Sequence, residues 1–194
     1  MFKRRIWAAK WYEIALSDRQ WLDFGAALKG IHAACVPPAL DRLIPPETFS
    51  PFWREMVKTF QAQIEENSFD DPTAAKLAAF MRPRQSHNCL VVRADELGLA
   101  LRARALGHVL CHSDIHAGNL LLGASNTLYI VDWDNPSMAP KERDLMLLGG
   151  CPVWSDAPQQ ALFYQGYGRA QVDAMALTYY RCERIIQDIA VYCQ

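Results

Sequence analysis

The chain has 194 residues, 51% of them hydrophobic, which is enough to bury the core of one domain or one large lobe. A net charge of -1, counted with histidine neutral, leaves no basic stripe for nucleic acid and no polybasic patch for an anionic membrane, so both are set aside as partners. The six cysteines (Cys35, Cys89, Cys111, Cys151, Cys182 and Cys193) form no CxxC pair and mostly sit in apolar stretches, where Cys acts as a small hydrophobe, so the expected compartment is the reducing cytoplasm.

Residues 1–16 carry Trp7, Trp11 and Tyr12 among basic residues and read as a lead-in, with no apolar run long enough for a signal peptide. No window in the chain approaches a membrane span. The first clear element begins at Ser17, where Ser17 and Gln20 form a capping box and Trp21, Phe24, Leu28 and Ile31 repeat on one helical face to about Ala34. Pro37-Pro38 and Pro45-Pro46 then forbid continuous helix. A second helix is expected with Ser50 as N-cap and Pro51 at its first position, burying Phe52, Trp53, Met56, Val57, Phe60 and Ile64. Asp71-Pro72 starts a third helix in the same way, with Leu77, Phe80 and Met81 as its core side. Residues 88–105 again read as helix, with Gly107 placed to stop it in a left-handed cap.

The texture then changes to three short apolar runs: Val109-Leu110-Cys111, residues 119–122 and residues 128–131. The last two flank a turn-rich stretch and read as a hairpin. A short helix near 142–148, a Gly149-Gly150 break, a helix near 158–165 and a long final helix near 171–193 complete the pattern. The last has Val172, Met175, Tyr179, Ile185, Ile186 and Ile189 as its apolar side. No internal repeat or low-complexity tract is present.

Chemistry concentrates between the first two strands, in His112-Ser113-Asp114-Ile115-His116-Ala117-Gly118-Asn119, and after the hairpin, in Val131-Asp132-Trp133-Asp134. The order is HxDxxxxN, strand, turn, strand, Asp. Phosphoryl transfer needs a carboxylate that orients the acceptor hydroxyl and takes its proton, and Asp114 fits that role. Mg²⁺ takes oxygen ligands, and Asn119 with Asp132 supplies an amide oxygen and a carboxylate. Asp134 is either a further metal ligand or a turn former. The rival reading is a zinc site from His112, Asp114 and His116, which leaves Asn119 and Asp132 unexplained.

These runs resemble the HGDLHPGN and IDWE signatures of the aminoglycoside phosphotransferase and choline kinase superfamily, whose fold is protein-kinase-like. Ser17 to Ala33 resembles the first helix of that family's C-terminal lobe, and Arg143-Asp144-Leu145 its downstream aspartate, which in relatives hydrogen-bonds the catalytic loop. The resemblance implies that Asp114 is the catalytic base of a loop spanning 112–119. It implies that Asn119 and Asp132 bind Mg²⁺ and the ATP phosphates, and that His112 and Asp144 support the loop. Ser113 stands where protein kinases place an arginine, so control by an activation-loop phosphate is not expected. His116 matches the small-molecule form.

The resemblance further implies a mainly helical α+β C-terminal lobe over residues 17–194, preceded by a hinge remnant at 1–16. A complete kinase of this type also has an N-terminal sheet with a nucleotide-covering loop and a strand lysine. Residues 1–16 contain no glycine and no GxGxxG occurs anywhere, so the expectation is that this lobe is absent. Without that grip on the phosphates, the chain alone is expected to transfer phosphate poorly. The expected acceptor is a small-molecule alcohol, an aminoglycoside or related amino alcohol. A non-catalytic binding module that keeps the fold is the alternative of another class.

Other residues read more plainly. His32 lies near the end of a helix, where the macrodipole favours a structural histidine. Trp154 is a candidate pocket residue, Lys141 and Arg143 a solvated pair, and Tyr179 and Tyr180 core. Asp156, Asp173, Glu183 and Asp188 are either receivers of a cationic substrate or surface charges. Nothing in the sequence signals an oligomeric state.

Overall fold

The computed structural model describes residues 16–82, 86–123, 126–151 and 154–192; the lead-in before Leu16 lies outside them. The helices are α1 (Asp18–His32), α2 (Pro38–Asp41), α3 (Phe52–Glu66), α4 (Pro72–Met81) and α5 (Ser86–Arg102). Strands β1 (Val109–Cys111), β2 (Leu120–Leu122), β3 (Leu128–Ile130) and β4 (Ser137–Ala139) follow, then α6 (Glu142–Leu145), α7 (Ala157–Tyr167) and α8 (Ala174–Tyr192). The chain divides into two compact units: residues 1–47 with 106–177, and residues 48–105 with 178–194. This is the mainly helical α+β composition expected from the sequence.

In the first unit, the capping box forms as anticipated: the Gln20 N–H donates to Ser17 Oγ and the Ser17 N–H to Gln20 Oε1, at 3.4 and 2.9 Å. Trp21, Phe24 and Leu28 of α1 are buried against Phe163 and Tyr167 of α7. The two helices approach at glycines: a Cβ on Gly25 would lie 2.0 Å from the Phe163 carbonyl oxygen, and one on Gly166 2.0 Å from that of Leu22. Only hydrogen fits at such a crossing.

Two antiparallel strand pairs carry the rest of this unit. β2 and β3 form the expected hairpin, with Leu120 opposite Ile130 and Leu122 opposite Leu128. β1 pairs with β4, Cys111 opposite Ser137. The sequence gives β4 no alternating pattern, and its pairing with β1 was not anticipated. The proline-rich connector also enters this pairing, since the Met138 N–H donates to the Pro45 carbonyl and the Glu47 N–H to that of Met138, at 3.0 and 2.8 Å. Between its proline pairs the connector turns once into α2, with Pro38 at the first helical position.

The second unit is helical. Its core joins Val57 of α3, Val91 and Ala94 of α5, and Ile186 and Ala190 of α8. Several expectations shift here. α3 starts at Phe52, one residue later than its proline suggested, with Ser50 Oγ accepting from the Phe52 N–H at 3.3 Å. Phe52 is exposed, and Arg54 takes the buried place instead. Its guanidinium is 2% exposed and satisfied by Asp95 Oδ1 at 2.7 Å, Tyr179 Oη at 3.2 Å, the Phe49 carbonyl at 3.2 Å and Glu183. In α4, Ala78 is the buried residue and Phe80 is exposed; in α8, Ile185 is exposed. α5 ends at Arg102 without a left-handed glycine, because Gly107 has negative φ and the Arg104 N–H closes the turn on the Leu101 carbonyl. α8 starts at Ala174 because Asp173 Oδ1 accepts from the Met175 and Ala176 N–H groups and caps it. Tyr179 and Tyr180 are core, as read.

Candidate active site

The loop between β1 and β2 is anchored from below by Asp144 of α6, whose side chain is 0% exposed. Its Oδ2 accepts from the His112 N–H at 2.8 Å and its Oδ1 from the Ser113 N–H at 2.7 Å. Ser113 sits at φ 73°, a left-handed conformation that costs an L residue about 1–2 kcal/mol. Hydrogen bonds to a charged acceptor contribute about 1.5–3 kcal/mol each, so the Asp144 contacts outweigh the strain. The Ser113 hydroxyl adds a 2.8 Å bond to that of Ser137, which gives β4 its place in the site.

His112 is buried and its tautomer is fixed by its partners. Nε2–H donates to the Val131 carbonyl at 2.9 Å, while Nδ1 accepts from the Asp114 N–H at 3.4 Å. Its ring meets Trp133 edge-on, with centroids 4.7 Å apart. Asp114 is thus held at its N–H by His112 and at its carbonyl by Asn119 Nδ2, at 2.9 Å. Its carboxyl remains 43% exposed, with Oδ2 3.4 Å from His116 Nε2. The His116 Nδ1 accepts from the Gly118 N–H at 3.0 Å and caps the 3-10 turn Ala117–Asn119. A backbone clamped at both ends leaves the carboxylate as the part that meets solvent or an acceptor.

The hairpin ties Asn119 to the residue before Asp132. The Val131 N–H donates to the Asn119 carbonyl at 2.9 Å, so the residue before Asp132 is bonded directly to the candidate ligand. Asn119 spends its amide nitrogen on the Asp114 carbonyl, which leaves Oδ1 as its remaining acceptor. Asp132 is exposed and holds φ at 71°, the second strained residue of the site. An amide oxygen and an exposed carboxylate are hard donors that fit Mg²⁺. Asp134 is exposed two residues on.

The zinc alternative does not assemble, because the His112 ring is committed to the Val131 carbonyl and to the Asp114 N–H. Among the described residues, His32, Cys111 and Asp144 do bring ligand atoms within 4.8 Å of one another. Their lone pairs are already engaged: Asp144 accepts from two backbone N–H groups and His32, and burial pushes the Cys111 thiol far up, keeping its proton for the Ala139 carbonyl.

Other expectations are corrected. Trp154 is 4% exposed and packs on Trp21 and Phe24, so it is core and lines no pocket. Arg143 and Lys141 are not a solvated pair: Arg143 reaches Glu47 at 2.6 Å and Lys141 reaches buried Glu142 at 2.8 Å. Of the acidic candidates, Asp173 is a helix cap, Glu183 pairs with Arg54 and Asp188 with Arg184 at 3.2 Å. Asp156 remains exposed. His32 and Tyr167 were missed as site residues, although Nε2 of His32 lies 3.1 Å from Asp144 and Nδ1 2.7 Å from the Tyr167 hydroxyl. The available signal was Asp144 itself, since a buried carboxylate requires donors beyond those its own helix supplies.

Among the described residues no helix is long and apolar enough to cross a membrane. No curated protein sequence matches the chain. Among solved structures, spectinomycin phosphotransferase APH(9)-Ia in complex with ADP and spectinomycin is 41% identical with a TM-score of 0.86. The match covers 96% of this chain and 58% of that one, so the chain spans under two thirds of that relative's length. Choline kinase LicA from Streptococcus pneumoniae (17% identity, TM-score 0.55, covering 91% of this chain and 54% of that one) shares the fold. So does an aminoglycoside-3'-phosphotransferase of type VIII (19% identity, TM-score 0.57, 90% of this chain and 64% of that one). The model of the phosphotransferase enzyme family matches residues 7–183, nearly the whole chain, and the chain belongs to that family.

Proposed function

We propose that the chain is the base- and metal-carrying C-terminal lobe of an ATP-dependent small-molecule kinase, with the catalytic loop at 112–119 and the metal aspartate at Asp132. The observation that carries this reading is the clamped Asp114, held at both ends of its backbone while its carboxyl stays 43% exposed, 3.4 Å from His116 Nε2. Asp114 orients the acceptor hydroxyl and takes its proton. Asn119 and Asp132 would hold Mg²⁺, which when bound neutralises charge on the nucleotide phosphates. Asp134 lies close enough in sequence to assist.

The acceptor class follows from the 41% identical relative, which was solved with ADP and spectinomycin, and a second structure of that protein holds AMP. We take the acceptor to be a hydroxyl of an aminoglycoside-like amino alcohol and the compartment to be the cytoplasm.

Calorimetric titration with Mg-ATP tests the reading, with D132N as control. Heat that requires Mg²⁺ and is lost in D132N supports it; no Mg-dependent heat in the unsubstituted chain would reduce the protein to a binding module with a kinase-like fold. A coupled assay across spectinomycin, other aminoglycosides, choline and homoserine then ranks acceptors.

A further inference from the structure

Helix α5 is apolar on two sides. Val91, Ala94, Leu97 and Leu101 are buried, and Val91 and Ala94 belong to the core that α5 shares with α3 and α8. Gly98 lies on this inner side, since a Cβ there would come 3.2 Å from the Tyr179 ring. The outer side carries Cys89, Val92, Glu96 and Leu99, spaced by three, four and three residues. Cys89 is exposed, Val92 is 54% exposed and Leu99 65%. A helix lying on a core needs one apolar stripe, and α5 has a second whose spacing is the period of a helix-pairing seam. Only Glu96 interrupts that seam, as a polar residue does where register is to be specified.

The charges beside the seam select its occupant. Arg93 and Glu96 pair at 3.3 Å within the helix, and both side chains are more than half exposed, so the pair adds little to the stability of the chain itself. Its layout is self-complementary. Turned end for end about a two-fold axis level with residue 94, the seam sets Cys89 against Leu99 of a second copy and Val92 against Glu96 of that copy. Arg93 then lies beside the Glu96 of the second copy, and the same pair repeats across the axis. A parallel pairing would instead set Glu96 on Glu96, a like-charge contact.

We propose that the outer face of α5 is a self-association surface, on which two copies of the chain pair antiparallel through Cys89, Val92 and Leu99 with reciprocal Arg93–Glu96 ion pairs. A contact of this symmetry closes on itself and builds no filament. A helix of 17 residues is about 25 Å long, which falls short of the roughly 800 Å² per partner of a stable interface. The pairing is therefore transient, with a dissociation constant in the micromolar range or weaker.

Sedimentation of the chain from micromolar to sub-millimolar concentration tests this. The weight-average mass is expected to rise from one chain toward two, and Leu99→Glu to hold it at one. R93E and E96R are each expected to sediment as single chains, because each sets like charges together across the axis. Mixed in equal amounts they are expected to pair again, which an ion pair confined to one helix would not produce. Leu99→Cys reports the register: mild oxidation is expected to join Cys89 of one copy to the introduced thiol of the other, identified by peptide mass. The substituted side chains are all exposed, and circular dichroism checks that each variant keeps the fold. A mass independent of concentration would leave the face to a different protein and overturn the proposal. A dimer that survives Leu99→Glu, no pairing in the mixture, or oxidation that joins Cys89 only to Cys89 would overturn it equally.

Discussion

Ser113 and Asp132, both non-glycine residues of the candidate site, adopt left-handed backbone. For Ser113 the holder is Asp144, a buried carboxylate with donors on both oxygens. Asp144→Ala would strand the His112 and Ser113 N–H groups and the His32 Nε2–H. With unsatisfied buried donors costing about 1–3 kcal/mol each, a loss of roughly 3 kcal/mol or more in urea unfolding is expected. A loss under 1 kcal/mol would mean that water replaces the carboxylate. Cys111 offers a second residue-level check. Burial raises its thiol far above the range in which thiolates form, whereas Cys35 and Cys89 are exposed. A maleimide at mild alkaline pH should label Cys35 and Cys89 in the native chain and Cys111 only after denaturation; mass spectrometry of the labelled peptides decides it.

At the scale of elements, the α1 and α7 crossing fixes where His32 and Tyr167 end. Gly25→Ala and Gly166→Ala each gain up to about 1 kcal/mol in helix propensity. Each also drives a Cβ to 2.0 Å from a backbone carbonyl, an overlap no rotamer relieves. Overpacking of this kind costs about 1–3 kcal/mol, so both variants should lower the thermal midpoint, and an unchanged or higher midpoint would show that the helices slide freely. The sequence made α1 legible through its capping box, and the hairpin through its turn-rich stretch between apolar runs. It did not reveal β4, because three residues paired to a distant strand leave no period. Nor did it reveal the crossing, since a glycine inside a helix looks like a weakness until its neighbour is known. Asp114, Asn119 and Asp132, the residues of the proposed site, stand out in the sequence because phosphoryl-transfer chemistry asks for those residue types at that spacing. Of what lies beneath the loop, Asp144 was legible through the resemblance alone and its contact with His32 was not, because the two are 112 positions apart and a histidine near a helix end is an ordinary residue.

For the molecule as a whole, the response to acid can be followed in the second unit, which contains the charged cluster around Arg54. Burial alone would raise the Asp95 carboxyl, but hydrogen bonds from Lys58 and Arg54, both 2.7–2.8 Å long, hold it below the ordinary carboxylate value. Burial likewise works against the Arg54 cation, and bonds to Tyr179 and Glu183 more than offset it. A carboxylate depressed in the folded state adds stability above its unfolded pKa of about 4, and that stability fades as pH falls through the folded value. The unsubstituted chain should therefore exceed Asp95→Asn in stability at neutral pH, by about 1–3 kcal/mol for a charged hydrogen-bonded group. The gap should narrow below about pH 4 and close in stronger acid, once Asp95 is protonated in both folded and unfolded chains. Hydrogen exchange followed by mass spectrometry on α3 and α5 peptides localises the effect to the second unit. A gap that stays constant from neutral pH into acid would show that Asp95 acts through packing and not through its charge.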